Sequence, residues 1–485
     1  MSEHAAAPAI GRTFPCAVAA LIVALFALRN LPWHLDDYDQ AKQAFTSFEM
    51  IEEGHWWFQH TPTGRIATKP PLSGWLSAAL QSVMPAEFAW RIPSFGSALI
   101  ILTMLWRRGA SILGGTVGGL IAASAFGLNV FSPRLATLVR TDMLLTLFTL
   151  IAGCLILDRI SRTEPWTMRS RLLLCAVILG SMLTKGPIVY AFLFPGLVAY
   201  ALCAHRWKMP NHAWSGIWPW VLPLAAFAAW VWIGIRLSPE FYDQVVRKEF
   251  FGRFDMSDAP VHKHQPIYFY LGHLLVRSAP WSLGLVALFS LRRVRAALRT
   301  DRSLLWLACW SFGGLVLMSI VPSKRFDRIL PVVPPFCLLL VAALRHAPDI
   351  IARAKFKLAV RAIVVLAACI SVTYAVANIW HDVKTDQRGL VRFGTRAREI
   401  ADASGGHLAV VSGKDEGMLL YTRTTRFTRT SDALDQWNAD EIDWLVIPEP
   451  EWRKHADDFP GSSPLLQCEK IEGKSSAYVL VGRSK

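Results

Sequence analysis

The chain has 485 residues, of which 53% are hydrophobic and only 18% are charged, below the roughly 25% typical of soluble domains. Apolar stretches near the length of a bilayer crossing recur from the N-terminus to Asn378, which excludes a soluble multidomain protein. The net charge of +15 does not indicate nucleic-acid binding, because the basic residues occupy short loops between apolar segments. The eight cysteines are scattered without a Cys-x-x-Cys pair, so neither a disulfide framework nor a zinc knuckle is predicted.

Eleven apolar segments predict an all-α polytopic membrane bundle. The first segment resembles a signal peptide but lacks a small-x-small cleavage site, so we interpret it as an uncleaved first helix. Several segments are shorter than a full crossing, and we expect them to extend into flanking polar residues or to thin the membrane locally. The predicted spans are 14–31, 88–106, 111–131, 142–157, 171–185, 188–203, 214–235, 267–289, 303–320, 329–344 and 358–378.

Two further helices are predicted in the first outer loop, residues 32–87. In 71–84 the apolar residues recur at i, i+3 and i+4 with polar residues opposite, and the stretch is too short to cross a bilayer. Residues 39–53 show the same period. We therefore predict two helices that lie in the membrane interface. The charge of the loops supports eleven spans with residues 71–84 in the interface. With this count the short Arg- and Lys-rich loops lie on the cytoplasmic side, as the positive-inside rule expects.

The composition becomes mixed and polar after Asn378. This change predicts a transmembrane catalytic domain over 1–378 and a small soluble α/β domain over 379–485, on the non-cytoplasmic side. The elements predicted in the second domain are strands at 407–411, 443–447 and 476–481 and helices at 391–403 and 431–437.

Carboxylates follow the first predicted span at Asp36, Asp37 and Asp39. Acidic residues at the start of a helix can simply cap it and complement its dipole. A carboxylate at the outer membrane surface can also orient an acceptor hydroxyl or accept its proton. Both interpretations stay open, and Asp36 and Asp37 are the candidate catalytic residues of this loop.

Lys69 precedes two prolines, which force an extended approach and then begin the second interfacial helix. This arrangement holds Lys69 at the headgroup level, where it either extends to water or binds a lipid phosphate. Arg140 and Asp142 lie at the outer start of another span. They form either a local ion pair or part of a site, because charges at membrane depth are costly and usually functional.

Lys324, Arg325 and Arg328 form a cationic cluster between two spans, on the face that the positive-inside rule predicts to be poor in cations. A fixed cationic cluster beside a membrane calls for an anionic partner, and phosphate is the natural one. Lys185, before a tight outer turn, adds another positive charge. His262 and His264 form a His-x-His pair that can bind a metal, although no carboxylate partner is evident.

These motifs, in this order, resemble those of the GT-C superfamily of membrane glycosyltransferases over roughly residues 31–341. The resemblance is to the lipid A aminoarabinose transferases and the dolichyl-phosphate-mannose protein mannosyltransferases. The motifs that carry it are Asp36-Asp37, Lys69-Pro-Pro-Leu, Arg140-Thr-Asp-Met-Leu-Leu, Thr184-Lys-Gly-Pro, Glu249-Phe-Phe-Gly-Arg-Phe, His264-Gln-Pro-Ile-Tyr-Phe-Tyr-Leu, Ala279-Pro-Trp and Ser323-Lys-Arg-Phe-Asp-Arg-Ile-Leu-Pro.

The resemblance implies a transferase that moves a hexosyl or pentosyl group, with inversion, from a polyprenyl-phosphate donor to lipid A, another envelope glycan or a protein. It implies catalytic roles for Asp36, with Asp37 beside it, and for Asp142. It implies donor-phosphate contacts from the basic residues Lys69, Arg140, Lys185, Lys324, Arg325 and Arg328. It also implies a multi-pass protein of the bacterial inner membrane, with the active site and the C-terminal domain on the periplasmic side.

The chain departs from the family pattern at two places. Thr68 stands where aminoarabinose transferases often have Glu, which puts in question a metal site that such a Glu would form with a His near position 264. No required cofactor is therefore predicted, and the use of a divalent metal stays open. Phe326 and Asp327 replace the aromatic-rich sequence that commonly follows the Ser-Lys pair. The alternative function is a polytopic transporter or lipid flippase without transferase chemistry. It is disfavoured because no internal repeat is visible and the membrane charges gather at one surface.

Overall fold

A computed structural model describes residues 11–33, 35, 38–205, 213–253, 264–385, 388–412, 415–468 and 477–483. The chain divides into two compact units. The first comprises Met1–Arg29, Thr68–Leu72 and Ile92–Val376, and the second comprises Asn30–Ala67, Ser73–Arg91 and Ala377–Lys485. The first outer loop, which we expected to belong with the transmembrane domain, therefore contributes most of its residues to the second unit. The last segment of that unit begins two residues before the predicted 378/379 boundary.

The helices before residue 90 include both helices predicted in the first outer loop. They are α1 (Thr13–Leu28), α2 (Tyr38–Glu53), α3 (Leu72–Gln81) and α4 (Ala86–Ala89). Helix α3 turns small and polar residues inward: Ser77 is buried, and Gln81 donates Nε2 to Ser47 Oγ at 3.2 Å. Its apolar residue Leu76 is 38% exposed. A polar inner face and an apolar outer face are expected of a helix at a membrane surface.

The next seven helices form the first half of the membrane bundle. They are α5 (Ile92–Leu113), α6 (Thr116–Gly127), α7 (Ser132–Ala136), α8 (Asp142–Arg162), α9 (Met168–Lys185), α10 (Ile188–His205) and α11 (Trp218–Leu237). Gly109 of α5 and Gly118 of α6 lie so close that a Cβ on either would meet the backbone of the other. Membrane helices have no hydrophobic driving force between them, so close approach through glycine supplies their van der Waals contact.

The second half of the bundle begins with a π-helix at Tyr242–Phe250 and a short 3₁₀ turn at Phe251–Arg253. Its α-helices are α12 (Phe269–Arg277), α13 (Trp281–Ser290), α14 (Arg292–Ala297), α15 (Arg302–Ile320), α16 (Val333–Arg345), α17 (Pro348–Ile351) and α18 (Phe356–Lys384). A 3₁₀ helix at Phe326–Val332 leads directly into α16. The predicted span at 267–289 is broken: α12 and α13 meet at 107°. Pro280 lies at the break and has no N–H with which to continue α12.

Among the described residues, five helices are long and apolar enough to cross a membrane, and six if α12 and α13 form one bent span. The five are α8, α11, α15, the continuous segment Phe326–Arg345 and α18. Shorter apolar helices are α1, α6 and the Ile188–Ala204 part of α10. Each of the eleven predicted spans overlaps a helix or the bent pair, and the count of eleven membrane crossings stays a prediction. The chain therefore has the helices of a multi-pass membrane protein.

The C-terminal part of the second unit contains a small sheet. Its elements are α19 (Gly389–Ser404), β1 (Leu408–Val410), α20 (Glu416–Thr422), α21 (Thr430–Asn438), β2 (Trp444–Pro448), α22 (Glu449–His455), a 3₁₀ turn (Ala456–Asp458), β3 (Ser462–Cys468) and β4 (Tyr478–Arg483). The strand order is β1-β2-β4-β3, with β1 and β2 parallel and the other neighbours antiparallel. Strands β1, β2 and β4 were predicted. Strand β3 was not, because it is an edge strand that contains Pro464 and lacks a buried alternating face.

The first outer loop and the C-terminal segment share contacts within the second unit. Helix α20 packs against α2, and a Cβ on Gly417 would meet the Leu35 backbone. Tyr421 donates its hydroxyl to Glu87 Oε1 at 2.7 Å. Burial raises the pKa of Tyr421 well above its usual value, so this hydroxyl stays a donor.

Candidate phosphate-binding site

An ion pair joins the start of α8 to the end of α9. Asp142 is the first residue of α8, where its negative charge complements the helix N-terminus. Lys185 is the last residue of α9 and donates Nζ to Asp142 Oδ1 at 2.5 Å. Gly186, with φ of 71°, ends α9 directly after this lysine. The charge preferences of two helix ends thus bring an acid and a base together in the first unit.

A second carboxylate, Asp327, lies among three arginines. Arg140 donates Nη1 to Asp327 Oδ2 at 2.6 Å, and Arg325 and Arg134 lie 3.8 Å and 4.0 Å from its oxygens. The side chains of Asp327 and Arg140 are only 7% and 11% exposed. A buried carboxylate needs such partners, because an isolated charge is costly to remove from water. The sequence left Arg140 and Asp142 open as a local ion pair or as part of a site, and each pairs with a residue distant in sequence.

Lys69 belongs to the same group of charges. The positive charges of Lys185, Arg140 and Lys69 all act electrostatically on the Asp142 carboxylate. Lys69 is partly exposed, in the segment Thr68–Leu72 that belongs to the first unit. Three basic residues predicted from separate motifs are therefore brought around one carboxylate.

Lys324 and Arg328 hold the backbone of the loop that carries the cationic cluster. Lys324 is buried and donates Nζ to the Gln265 carbonyl at 2.9 Å. Arg328 donates Nη1 to the carbonyl and to Oγ of Ser323, at 2.9 Å and 3.2 Å. Burial lowers the pKa of the Lys324 ammonium below its usual range. Arg325, with a side chain 46% exposed, is the cluster member that faces solvent most.

Two arginine side chains lie over the ring of Phe326. The guanidinium carbon of Arg277 lies 4.0 Å from the centre of the Phe326 ring, and that of Arg134 lies 5.3 Å from it. Aromatic faces attract cations, so the ring helps to hold two arginines that would otherwise repel each other. Sequence reasoning missed Arg134, Arg277 and the role of Asp327. Arg277 carried a signal, because it is a charge inside a predicted span.

Three predicted site residues, Asp36, Asp37 and His262, lie outside the described residues. His264 is exposed, and its backbone pairs with Ser323 in an isolated antiparallel bridge. Within the part of the chain that the structure describes, His264 belongs to no group of three metal-ligating side chains. The other predicted residues all lie in the first unit.

The helical bundle and the small C-terminal sheet match the fold of two solved structures of one protein. The structure of ArnT from Cupriavidus metallidurans bound to undecaprenyl phosphate matches with a TM-score of 0.72 and 16% identity. This match covers 97% of this chain and 97% of that chain. The apo state of the same protein matches with a TM-score of 0.70 and 17% identity. At this identity the likeness establishes the fold.

The chain also has relatives in sequence. An undecaprenyl phosphate-α-4-amino-4-deoxy-L-arabinose arabinosyl transferase of Sodalis glossinidius is 28% identical over 322 residues, which cover 64% of this chain and 55% of that protein. The transferase of Erwinia tasmaniensis is 27% identical over 318 residues, 62% of this chain and 54% of that protein. The chain thus spans about half the length of the curated relatives it matches.

No protein-family model matches the chain. The resemblance predicted from the ordered motifs, to aminoarabinose transferases of the GT-C superfamily, is confirmed.

Proposed function

We propose that the protein is an inverting glycosyltransferase that moves a pentosyl or hexosyl group from polyprenyl phosphate to lipid A, another envelope glycan or a protein. The site faces the periplasm, in the inner membrane of a bacterium. The observation that carries this proposal is the convergence of Lys69, Arg140 and Lys185 on Asp142. The similarity to transferases named for undecaprenyl phosphate-linked aminoarabinose supports it.

The donor phosphate contacts the cations that keep access to solvent. Lys69 is partly exposed, Lys185 is 26% exposed and Arg325 is 46% exposed. The donor phosphodiester carries one negative charge and gains a second when its bond to the anomeric carbon breaks. Preorganised cations stabilise that growing charge, which lowers the barrier to sugar departure. Arg140 and Lys324, both largely buried, support these contacts by fixing the surrounding backbone and side chains.

The acceptor attacks the anomeric carbon from the face opposite the phosphate. Asp36, with Asp37 beside it, orients the acceptor hydroxyl and accepts its proton as the new glycosidic bond forms. Asp142 holds Lys185 at the donor phosphate through their ion pair. An acceptor that is itself a phosphate, as on lipid A, is already ionised, so Asp36 then mainly orients it.

The polyprenyl chain occupies an apolar groove that starts close to Lys185 in sequence. The groove is lined by Tyr190, Phe194 and Val198 of α10 and by Leu317 of α15, among others. These α10 residues recur every four positions and therefore share one face of the helix. A long isoprenoid needs such a surface, because its apolar area is favourably removed from water.

Release of polyprenyl phosphate from a labelled donor tests the function. Purified protein in proteoliposomes should release it when an acceptor is present, and Lys69→Ala and Lys185→Ala should reduce release at least tenfold. Lys355→Ala, at an exposed position with no role in the site, serves as the control. Donor translocation without release would identify a transporter or flippase and refute the transferase.

A further inference from the structure

Glu49, His55 and His60 converge on one point in the second unit. Glu49 belongs to the last turns of α2, and the two histidines lie in the loop that follows it. His55 Nδ1 lies 2.5 Å from Glu49 Oε1, and His60 Nδ1 lies 3.2 Å from the same oxygen. The two Nδ1 atoms are 3.1 Å apart. One carboxylate oxygen and two imidazole nitrogens therefore form a small triangle.

Hydrogen bonds within this group do not satisfy all of its polar atoms. The Glu49 side chain is 0% exposed, and its second oxygen, Oε2, is buried without a hydrogen-bond partner among the described residues. Two Nδ1 atoms in contact require one to carry a proton and the other to lack it. A fully buried carboxylate with an unsatisfied oxygen is costly, and such groups often mark a missing ion or water.

The three side chains match the ligands of a transition-metal ion. Zn²⁺ is commonly held by imidazole nitrogen and carboxylate oxygen at about 2.0–2.2 Å, which places tetrahedral ligand atoms roughly 3.3–3.5 Å apart. The observed separations of 2.5 Å to 3.2 Å require only a small outward movement to accept the ion. His55 and His60 are 40% and 25% exposed, so a fourth position opens to solvent and takes a water molecule.

The backbone of the loop is fixed by its own hydrogen bonds. Gln59 donates Nε2 to the Trp56 carbonyl at 2.9 Å, and its own carbonyl accepts from Ala67 N at 2.6 Å. Trp75 donates Nε1 to the same Trp56 carbonyl at 2.7 Å. The two histidines are therefore held near each other before any ion arrives, which reduces the entropic cost of binding.

Arg426 supplies the neighbouring positive charge. Its Nη2 lies 3.8 Å from Glu49 Oε1 and 4.0 Å from Glu53 Oε2. Glu53 is thus a second carboxylate beside Arg426. When a divalent ion displaces Arg426 from Glu49, Glu53 remains as its partner. The site can thus take up an ion without leaving an arginine unpaired.

We propose that Glu49, His55 and His60 bind one Zn²⁺ ion, with water as the fourth ligand. The ion fastens the loop after α2 to the end of that helix. This site is built from residues that the proposed glycosyl transfer does not use, and its test is independent of that activity.

Zinc uptake by the full chain tests the site. The protein is purified in detergent without a polyhistidine tag, stripped with a chelator, and titrated with Zn²⁺ in a calorimeter. We expect one ion per chain and at least a tenfold loss of affinity in both His55→Gln and His60→Gln. His455→Gln is the matched control, because His455 pairs with the carboxylates of Asp458 at 2.9 Å and Glu451 at 3.9 Å, and among the described residues it belongs to no metal-ligating group of three. No uptake by the wild type, or equal uptake by all variants, would overturn the site.

A second measurement needs no variant. Diethyl pyrocarbonate modifies accessible imidazoles, and mass spectrometry locates each modified histidine in the wild-type protein. Zn²⁺ should slow modification of His55 and His60 at least fivefold and leave His455 unchanged. Equal rates with and without Zn²⁺ at all three histidines would exclude coordination by this pair.

Discussion

Asp327 accepts a hydrogen bond from Arg140 at 2.6 Å, and this pair ties the residues before α8 to the 3₁₀ helix that leads into α16. Both side chains are largely buried. The bond therefore fixes two separate segments of the candidate site relative to each other, and Arg325 and Arg134 take their positions from the same carboxylate.

Asp327→Asn should destabilise the protein strongly. Removing one partner of a buried pair leaves the other charge uncompensated and costs about 3–5 kcal/mol. Asp349→Asn is the matched control, because Asp349 pairs with Arg293 where both side chains are more than two-thirds exposed. Exposed pairs contribute about 0–1 kcal/mol. Thermal unfolding in detergent measures both variants, and equal midpoints would contradict a buried structural role for Asp327.

Asp142→Asn and Lys185→Met should reduce donor turnover through the same interaction. If Asp142 acts by holding Lys185, the double variant will be no slower than the more damaged single variant. Each single change should lower kcat/KM for the donor by about 10²-fold, as expected for loss of one electrostatic contact. Fully multiplicative losses would instead assign Asp142 a role of its own at the reacting atoms.

Donor binding should weaken as the pH rises through the alkaline range. Burial lowers the pKa of Lys324, so this ammonium loses its proton below the value of about 10.4 usual for lysine. The site then loses one positive charge, and affinity for the anionic donor falls. Over the same interval the folded chain binds fewer protons at Lys324 than the unfolded chain, so this group's contribution to stability rises with pH.

Lys324→Arg separates this effect from general alkaline damage. Arginine stays protonated throughout that range, so the variant should keep its donor affinity to higher pH. Equilibrium binding of the donor at several pH values measures both proteins. Identical profiles would show that another group titrates.

Asp36→Asn should lower transfer to a hydroxyl acceptor by about 10²–10⁴-fold, the usual range for loss of a general base. Transfer to a phosphate acceptor should fall less, because that acceptor needs no proton removed. Asp39→Asn provides the control, since Asp39 lies in the first turn of α2 and complements the helix dipole. Initial rates with both acceptor types distinguish the two roles, and a larger effect of Asp39→Asn would contradict the assignment.

Hydrophobic periodicity predicted most helices of the bundle, because long apolar segments have few alternatives in a membrane. It predicted α2 and α3 from a different signal, the recurrence of apolar residues at i, i+3 and i+4. It could not predict the 107° break between α12 and α13, since apolar residues recur on both sides of Ala279-Pro280. Strand β3 was not predicted, because its two faces do not alternate in burial.

The sequence predicted which residues belong to the candidate site better than it predicted which residues they pair with. Charges that violate the positive-inside rule or lie at membrane depth identified Lys69, Arg140, Lys185 and Lys324. Their partners depend on tertiary contacts, such as that between Arg140 and Asp327, which are separated by 187 positions. Sequence spacing carries no information about such pairs. The Glu49, His55 and His60 group was missed because its members lie at irregular intervals across a helix end.

The second unit is discontinuous along the chain, and this has a practical consequence for protein engineering. A fragment that starts at Ala377 would contain the whole sheet but would lack α2, against which α20 packs, and Glu87, which accepts the Tyr421 hydroxyl. Such a fragment would leave uncovered the surface of α20 that packs against α2. A C-terminal piece designed for separate expression should therefore also carry residues 30–67 and 73–91.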